Sequence, residues 1–218
     1  MKREFILTED GSYTIFVPEM GEHFHSVHGA LQESLHIFIN FGYKKVEKGS
    51  LSVLEIGFGT GLNAFLTLLE SVSSNKPVFY ESWEAFPLTK EESDQLNYPD
   101  LLDTGREWFK SLHDAKWGKE VMITSDFCLK KVHADIQNFT SQRIFDLVYF
   151  DAFGPDYQPE LWITPIFDSI YSCMERDSRL VTYSAKGQVR RNLREAGFRI
   201  EKAPGPPGKR EITIAIKS

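Results

Sequence analysis

Leu51-Ser52-Val53-Leu54-Glu55-Ile56-Gly57-Phe58-Gly59-Thr60-Gly61-Leu62-Asn63 is the stretch that decides the fold. The run Leu51 to Ile56, bounded by Gly49 and Gly57, reads as a buried strand. A helix follows from about Leu62 to Leu69, with Phe65, Leu66 and Leu69 on its apolar face. Between them lies a turn spaced G-x-G-x-G. Glycines let a backbone pass close to a ligand and adopt positive φ where that is needed. The spacing is not the G-x-G-x-x-G of a dinucleotide site, and the Gly-Lys-Ser/Thr of a phosphate loop is missing. Taken alone, the turn could equally be a tight strand-to-helix connection.

Outward from this unit, strands and helices alternate. Strand-like runs recur at Val78 to Trp83, Val121 to Thr124, Ile144 to Phe150, Leu180 to Tyr183 and Phe198 to Glu201. Helical patterns lie between them: polar helices over 88–116 broken at Pro99, a weak one from Lys130 to Phe139, then Trp162 to Met174 and Gly187 to Ala196. Such alternation predicts an α/β fold, a mainly parallel sheet covered on both faces. Glu211 to Ile216 alternates like a final antiparallel strand. Ahead of this unit, Phe5-Ile6-Leu7 and Tyr13 to Val17 flank Asp10-Gly11 as a small hairpin, and Leu31, Leu35, Phe38 and Ile39 keep helical spacing. The expected organisation is an N-terminal elaboration over 1–45 packed on a single unit over 46–218.

Three features at consecutive strand ends suggest one ligand. Glu55 stands just before the glycine turn (Gly57, Gly59, Gly61), where a carboxylate suits a cationic ligand better than a pyrophosphate. The amino and sulfonium groups of S-adenosylmethionine meet that demand. Glu84 ends the second strand, roughly 25 residues past the turn, where parallel α/β sheets place an acid against a ribose diol. Ser125-Asp126-Phe127 follows the third run, where Asp126 could accept from an adenine amino group and Phe127 could cover the base. Ligands in such sheets bind outside the carboxyl ends of the strands.

On the acceptor side, Asp151 follows an almost wholly apolar strand and so faces the same crevice. An alkylammonium with a pKa near about 10 is mostly protonated at neutral pH, so methylating an amine calls for a group that orients it or receives its proton. The competing role for Asp151 is a strand-end cap on nearby backbone N–H groups. Phe153 and Trp162 either stack on a splayed base or belong to the core. Basic residues gather from Lys186 to Arg210: Lys186, Arg190, Arg191, Arg194, Arg199, Lys202, Lys209 and Arg210. They read either as a phosphate-contacting edge or as a solvated helix face. His23, His25 and His28 lack a supporting acid or thiol cluster, so a loop or a pocket wall is expected there and no metal.

Composition narrows the classes further. A chain of 218 residues buries roughly 70% of its unfolded surface and needs no disulfide or metal to fold. Its two cysteines, Cys128 and Cys173, show no CxxC or zinc spacing. A net charge of −6 argues against non-specific nucleic-acid binding over the whole surface, though not against a local basic patch. No apolar run of about 18 residues occurs and the N-terminus carries no signal-peptide pattern, so a cytoplasmic protein is expected.

Several segments together resemble the methyltransferase domain of the MnmC family, which makes the 5-methylaminomethyl group on wobble 2-thiouridine of tRNA. They are Gly57 to Asn63; Glu84-Ala85-Phe86-Pro87-Leu88-Thr89; Phe150-Asp151-Ala152-Phe153 with Pro159-Glu160-Leu161-Trp162; Val189 to Leu193 with Glu195-Ala196-Gly197-Phe198; and Gly208-Lys209-Arg210-Glu211. The resemblance runs from about residue 22 to the end. It implies a Rossmann-like methyltransferase fold with a seven-stranded sheet and an antiparallel last strand. It implies an S-adenosylmethionine site formed by the glycine turn, Glu84 and Asp126, with Asp151 facing an aminomethyl nitrogen; Glu55, Asn63 and Phe127 complete the expected cofactor site. The expected partner is the tRNA anticodon stem-loop, with Phe153 and Trp162 as candidate base contacts and Lys186, Arg190, Arg191, Lys209 and Arg210 as candidate phosphate contacts. Bifunctional members also carry a flavin-dependent oxidase domain. None is present in these 218 residues, so other enzymes are expected to supply the aminomethyl form. Pro204-Gly205-Pro206-Pro207 departs from the less proline-rich turn of those members. The alternatives are a methyltransferase for another amine and a non-catalytic module that binds the cofactor or tRNA.

Overall fold

The structure, a computed structural model, describes residues 2–218. Asp10 organises the N-terminal hairpin. Its carboxylate accepts from the Thr8 hydroxyl at 2.8 Å and the Ser12 N–H at 3.0 Å, and turns the chain between β1 (Glu4–Leu7) and β2 (Tyr13–Val17). A short β3 (Glu22–His23) extends this sheet. The other Asp10 oxygen accepts from Gln32 N–H at 2.9 Å, which fastens the hairpin to α1 (Ala30–Ser34). The helix continues as a wider turn over Leu35–Asn40, and it buries Ile37, Phe38 and Ile39 against the main sheet. The elaboration therefore shares the core of the unit it covers.

The main unit comprises β4 (Leu51–Ile56), α2 (Leu62–Ser74), β5 (Val78–Glu84), α3 (Lys90–Ser93), α4 (Tyr98–Leu101), α5 (Arg106–Asp114), β6 (Glu120–Thr124) and β7 (Phe127–His133). It continues with β8 (Phe145–Phe150), α6 (Thr164–Ser172), β9 (Met174–Thr182), α7 (Gly187–Glu195), β10 (Phe198–Pro204) and β11 (Glu211–Lys217). The sheet order is β10-β11-β9-β8-β4-β5-β7-β6. β9, β8, β4, β5 and β7 run parallel, and β11 is antiparallel to β9. This is the expected Rossmann-like α/β sheet of seven strands, with β6 added antiparallel at one edge. The chain leaves β4 toward β5 and β7, then returns to β8 on the other side. The strand order therefore reverses at β4, and a crevice opens above its carboxyl end.

Two apolar clusters cover the faces. Val53, Tyr80, Leu129, Leu147 and Tyr149 meet α2 and the N-terminal helix; Leu54, Ile56, Val148 and Phe150 meet α6 and α7. The alternation along β4 splits its residues between the two. Near Lys130 to Phe139 the expected helix is instead β7 followed by a single helical turn at Ile136–Asn138. The sequence disguises this strand because its inward position 131 is a lysine. Lys131 is 1% exposed; its ammonium donates to the His113 carbonyl at 2.6 Å and lies 4.7 Å from the Trp117 ring centre. A buried cation in an aromatic setting, with a carbonyl accepting its hydrogen bond, keeps the period of two without apolar letters.

Candidate active site

The tips of β8, β4 and β5 are laced together. Asp151 N–H donates to Ile56 carbonyl at 2.9 Å, and Gly57 N–H donates to Trp83 carbonyl at 2.9 Å. Gly57 has φ +94°, and a Cβ there would sit 2.6 Å from the Asp151 carbonyl oxygen. Only glycine allows β4 to end this close to β8. Gly57→Ala is expected to lower the thermal midpoint by several degrees, from roughly 1–3 kcal/mol of local strain, and to weaken donor binding in calorimetric titration. Unchanged donor affinity would show that this close approach does not shape the crevice.

Gly59, at φ +50°, turns its N–H onto Glu84 Oε2 at 2.9 Å, while Phe86 N–H donates to Glu84 Oε1 at 2.8 Å. Both carboxylate oxygens are thus held by backbone donors, and each keeps lone pairs for a ligand. Around them lies a crevice of about 970 Å³, open mouth included. Ile56, Gly57, Leu62 and Asn63 contribute from β4 and α2. Trp83, Glu84 and Phe86 line it from β5, with Asp135 and Ile136 beyond β7. Asp151, Phe153, Glu160 and Leu161 come from the segment after β8, and Phe24 and His25 from the N-terminal elaboration. Among the sequence-predicted residues the crevice gathers Gly57, Gly59, Asn63, Glu84, Asp151 and Phe153.

The acceptor side is acidic and enclosed. Asn63 Nδ2 donates to Asp151 Oδ2 at 2.8 Å. Burial, then the nearby Glu33 carboxylate, push the Asp151 carboxyl well above the ordinary range, while Asn63 and Lys209 pull the other way. Lys209 pairs with Glu33 and lies 4.3 Å from the Tyr183 ring centre; Tyr183 hydroxyl donates to Ala152 carbonyl at 2.8 Å. His25 pairs with Thr60 Oγ1 at 2.8 Å, and burial lowers it to about 4, so it is neutral at pH 7. Phe24 meets Phe153 edge to face at 5.1 Å.

Other expected site residues lie elsewhere. Asp126 and Phe127 stand at the start of β7, the opposite end of the sheet: Asp126 carbonyl accepts from Val78 N–H, the first residue of β5, and Phe127 is fully buried. The strand taken for the third parallel one is the antiparallel edge strand β6. The residues at the proper strand end are Asp135 and Ile136. Trp162 is 2% exposed, donates Nε1–H to Phe153 carbonyl at 2.8 Å and packs on Phe150, so it belongs to the core. Arg190 is 5% exposed and bonds to Thr213 and Glu211, so it cannot reach a phosphate. Gly61 closes the turn by donating to the Phe58 carbonyl, and Glu55 is buried behind Asn63, outside the crevice. Lys186 is paired with Asp156, and Lys209 with Glu33. Arg191 and Arg210 are exposed. Phe24 and Trp83 carry no motif, and Phe86 stands only inside the Glu84–Thr89 segment; the fold alone brings all three to the crevice.

The residues fit an adenosyl donor. Glu84 offers acceptors for a diol, Asp135 offers a carboxylate at the next strand end, and Trp83 and Ile136 supply apolar surface for a base. A reversing parallel sheet with an antiparallel last strand and this crevice defines a Rossmann-like methyltransferase. The chain belongs to the S-adenosyl-L-methionine-dependent methyltransferase family whose model matches residues 104–218. S-adenosylmethionine is its cofactor.

Among relatives, a tRNA 5-methylaminomethyl-2-thiouridine biosynthesis bifunctional protein MnmC of Cupriavidus metallidurans is 30% identical over 97% of this chain and 33% of its own length. A protein of the same name from Leptospira interrogans is 29% identical over 98% of this chain and 35% of its own. The chain thus spans about a third of the length of these curated relatives. The crystal structure of MnmC2 from Aquifex aeolicus superposes with a TM-score of 0.79 at 26% identity, covering 98% of this chain and 70% of that one. Among the described residues, no helix is long and apolar enough to cross a membrane.

Proposed function

We propose that this chain methylates the primary amine of 5-aminomethyl-2-thiouridine at the tRNA wobble position, giving the methylaminomethyl base. The observation that carries the reading is the placement of Asp151: an acid held beside the glycine turn, facing the same crevice as Glu84. The names of the relatives point to this substrate. The reading includes an anticodon stem-loop as partner, upstream enzymes that supply the amine, and a cytoplasmic setting.

Glu84 would hold the ribose hydroxyls, and Asp135 with Trp83 and Ile136 the adenine. When bound, S-adenosylmethionine supplies a methyl carbon on a cationic sulfur. Asp151 orients the amine along the line of transfer and receives a proton from nitrogen, so the lone pair is free when the N–C bond forms and the C–S bond breaks. Phe24, Phe153 and neutral His25 keep water from the reacting nitrogen. Exposed Arg191 and Arg210, with Lys186, are left to meet phosphates.

The test is a single-turnover assay with labelled donor and tRNA from cells lacking the wobble methyl group. Label is expected in the wobble nucleoside, identified by mass. Donor binding without label transfer to any such tRNA would overturn the reading.

A further inference from the structure

We propose that Arg3 is a positioning residue for the donor site: from β1 it clamps the turn after β5, and so holds the Phe86 N–H that fixes the Glu84 carboxylate. Its effect on binding rests on the reading of Glu84 as the ribose acid given above.

The Arg3 side chain is only 8% exposed. A guanidinium leaves water at a cost that full pairing must offset. One terminal nitrogen donates to Pro87 carbonyl at 3.2 Å and to Glu92 Oε2 at 2.7 Å; the other donates to Phe86 carbonyl. Glu92 Oε2 also accepts from Thr89 N–H at 2.8 Å, in the capping box that starts α3. All three acceptors of Arg3 thus belong to one turn, 86–92. Among the described residues, no other group donates to the Phe86 or Pro87 carbonyl. A planar fork suits such a set, where an ammonium would act as a point charge.

The clamp reaches Glu84 through a single residue. Phe86 N–H donates to Glu84 Oε1, and Phe86 carbonyl is one that Arg3 holds. Two backbone torsions separate that N–H from that carbonyl, and the proline that follows biases Phe86 toward extended backbone. With Pro87 carbonyl held as well, the N–H has little freedom to turn from Glu84. The other donor to Glu84 is backed from the same side. Gly59 N–H meets Oε2, and a Cβ on Gly59 would lie 3.0 Å from Phe24 Cδ1. The Arg3 guanidinium sits 5.9 Å from the centre of that ring. Both N–H groups that aim the carboxylate are therefore supported by the N-terminal elaboration. Docking β1 on α3 would need Glu92 alone; the two carbonyls are what tie Arg3 to the donor site.

Two measurements on the whole chain test this. The first is exchange of the Phe86 amide hydrogen, followed by NMR without ligand. It is expected to be at least about tenfold faster in Arg3→Ala than in wild type, while amides of β4 and β8 exchange as before. The second is calorimetric titration, well below each variant's midpoint, with S-adenosylhomocysteine and with its 2′,3′-dideoxy analogue. Wild type should prefer the ribose form by about 10- to 100-fold, the worth of hydrogen bonds to a carboxylate. Glu84→Gln should lose that preference. Arg3→Ala should lose most of it while binding the dideoxy analogue nearly as wild type does; a purely structural role would lower the midpoint and leave the ratio alone. Arg3→Lys keeps a cation beside Glu92, which guards the fold, but one ammonium cannot span both carbonyls, so Phe86 exchange should rise and the preference fall there too. The proposal is overturned if Phe86 exchange is unchanged in both Arg3 variants, or if both keep the wild-type ribose preference. A Glu84→Gln that keeps the preference, or a wild type that has none, would instead sink the reading of Glu84; the exchange result still decides whether Arg3 holds Phe86.

Discussion

Asp151→Asn should bind S-adenosylmethionine as wild type does and lose methyl transfer by about 10²- to 10⁴-fold, the range for removing a positioned proton acceptor. The two effects separate because two parts of one residue serve them. The Asp151 backbone laces β8 to β4 through its N–H to Ile56, and its carbonyl sits over Gly57. None of that depends on the side chain. The asparagine amide can still accept from Asn63, so the crevice keeps its shape while the carboxylate charge is gone. An amine arriving as ammonium then has only water to take its proton. The residual rate of the variant should rise about tenfold per pH unit toward the amine pKa near about 10, while the wild-type rate flattens earlier. Asp151→Ala adds an unpaired Asn63 N–H and should be no more active. Wild-type turnover in Asp151→Asn would reduce the residue to a strand-end cap.

How far the sequence reached depends on which residues carry their role in local pattern. The glycine turn and Glu84 do: a buried strand, three glycines and an acid at the next strand end are each written in contiguous letters, and the fold brings them together as expected. Asp126 shows the limit. Val121 to Thr124 has a better strand pattern than Phe127 to His133, because Lys130 and Lys131 interrupt the latter. Yet β7 is the parallel strand and β6 the antiparallel edge, so the acid before Phe127 lies at the wrong end of the sheet. Strand direction is settled by long-range pairing with β5, which no local period reports. Trp162 was ambiguous for a related reason: whether an aromatic faces a crevice or the core depends on the path of a loop. Phe24 and His25 reach the site because their N–H groups are held on β2, by Ile15 carbonyl and Thr14 Oγ1 at 2.9 Å each, and because Asp10 fastens that hairpin to α1, a contact between residues 22 apart.

Arg190→Ala is expected to cost roughly 1–3 kcal/mol, the range for leaving buried hydrogen-bonding groups unpaired, and to lower the midpoint by about 2–12 °C for a chain of this length. From the sequence Arg190 and Arg191 are neighbours in one basic cluster. The structure turns Arg190 into the core and leaves Arg191, about 100° further round α7, exposed. Arg190 turns inward: its Nε donates to Thr213 Oγ1 at 3.0 Å, one terminal nitrogen to Glu211 at 2.7 Å, and the other to Ile212 carbonyl at 3.4 Å. It pins α7 to β11. Removing it takes one partner each from Thr213, which still donates to Ser184 carbonyl at 2.6 Å, and from Glu211, which keeps Lys202 at 3.3 Å, and it leaves Ile212 carbonyl without the guanidinium. Arg191 is exposed, bonded only to Gln188 of its own helix among the described residues. Arg191→Ala should therefore leave stability within about 0.5 kcal/mol. If the tRNA reading holds, it should also reduce the slope of log affinity against log salt by about one contact's worth, roughly 0.7–0.9. Thermal melts of both variants, and tRNA titrations at several salt concentrations, give four numbers that must fall in this pattern. A stable Arg190→Ala that binds tRNA with a shallower salt slope would mean that its guanidinium leaves Glu211 for a phosphate, and that α7 presents its other face to the nucleic acid.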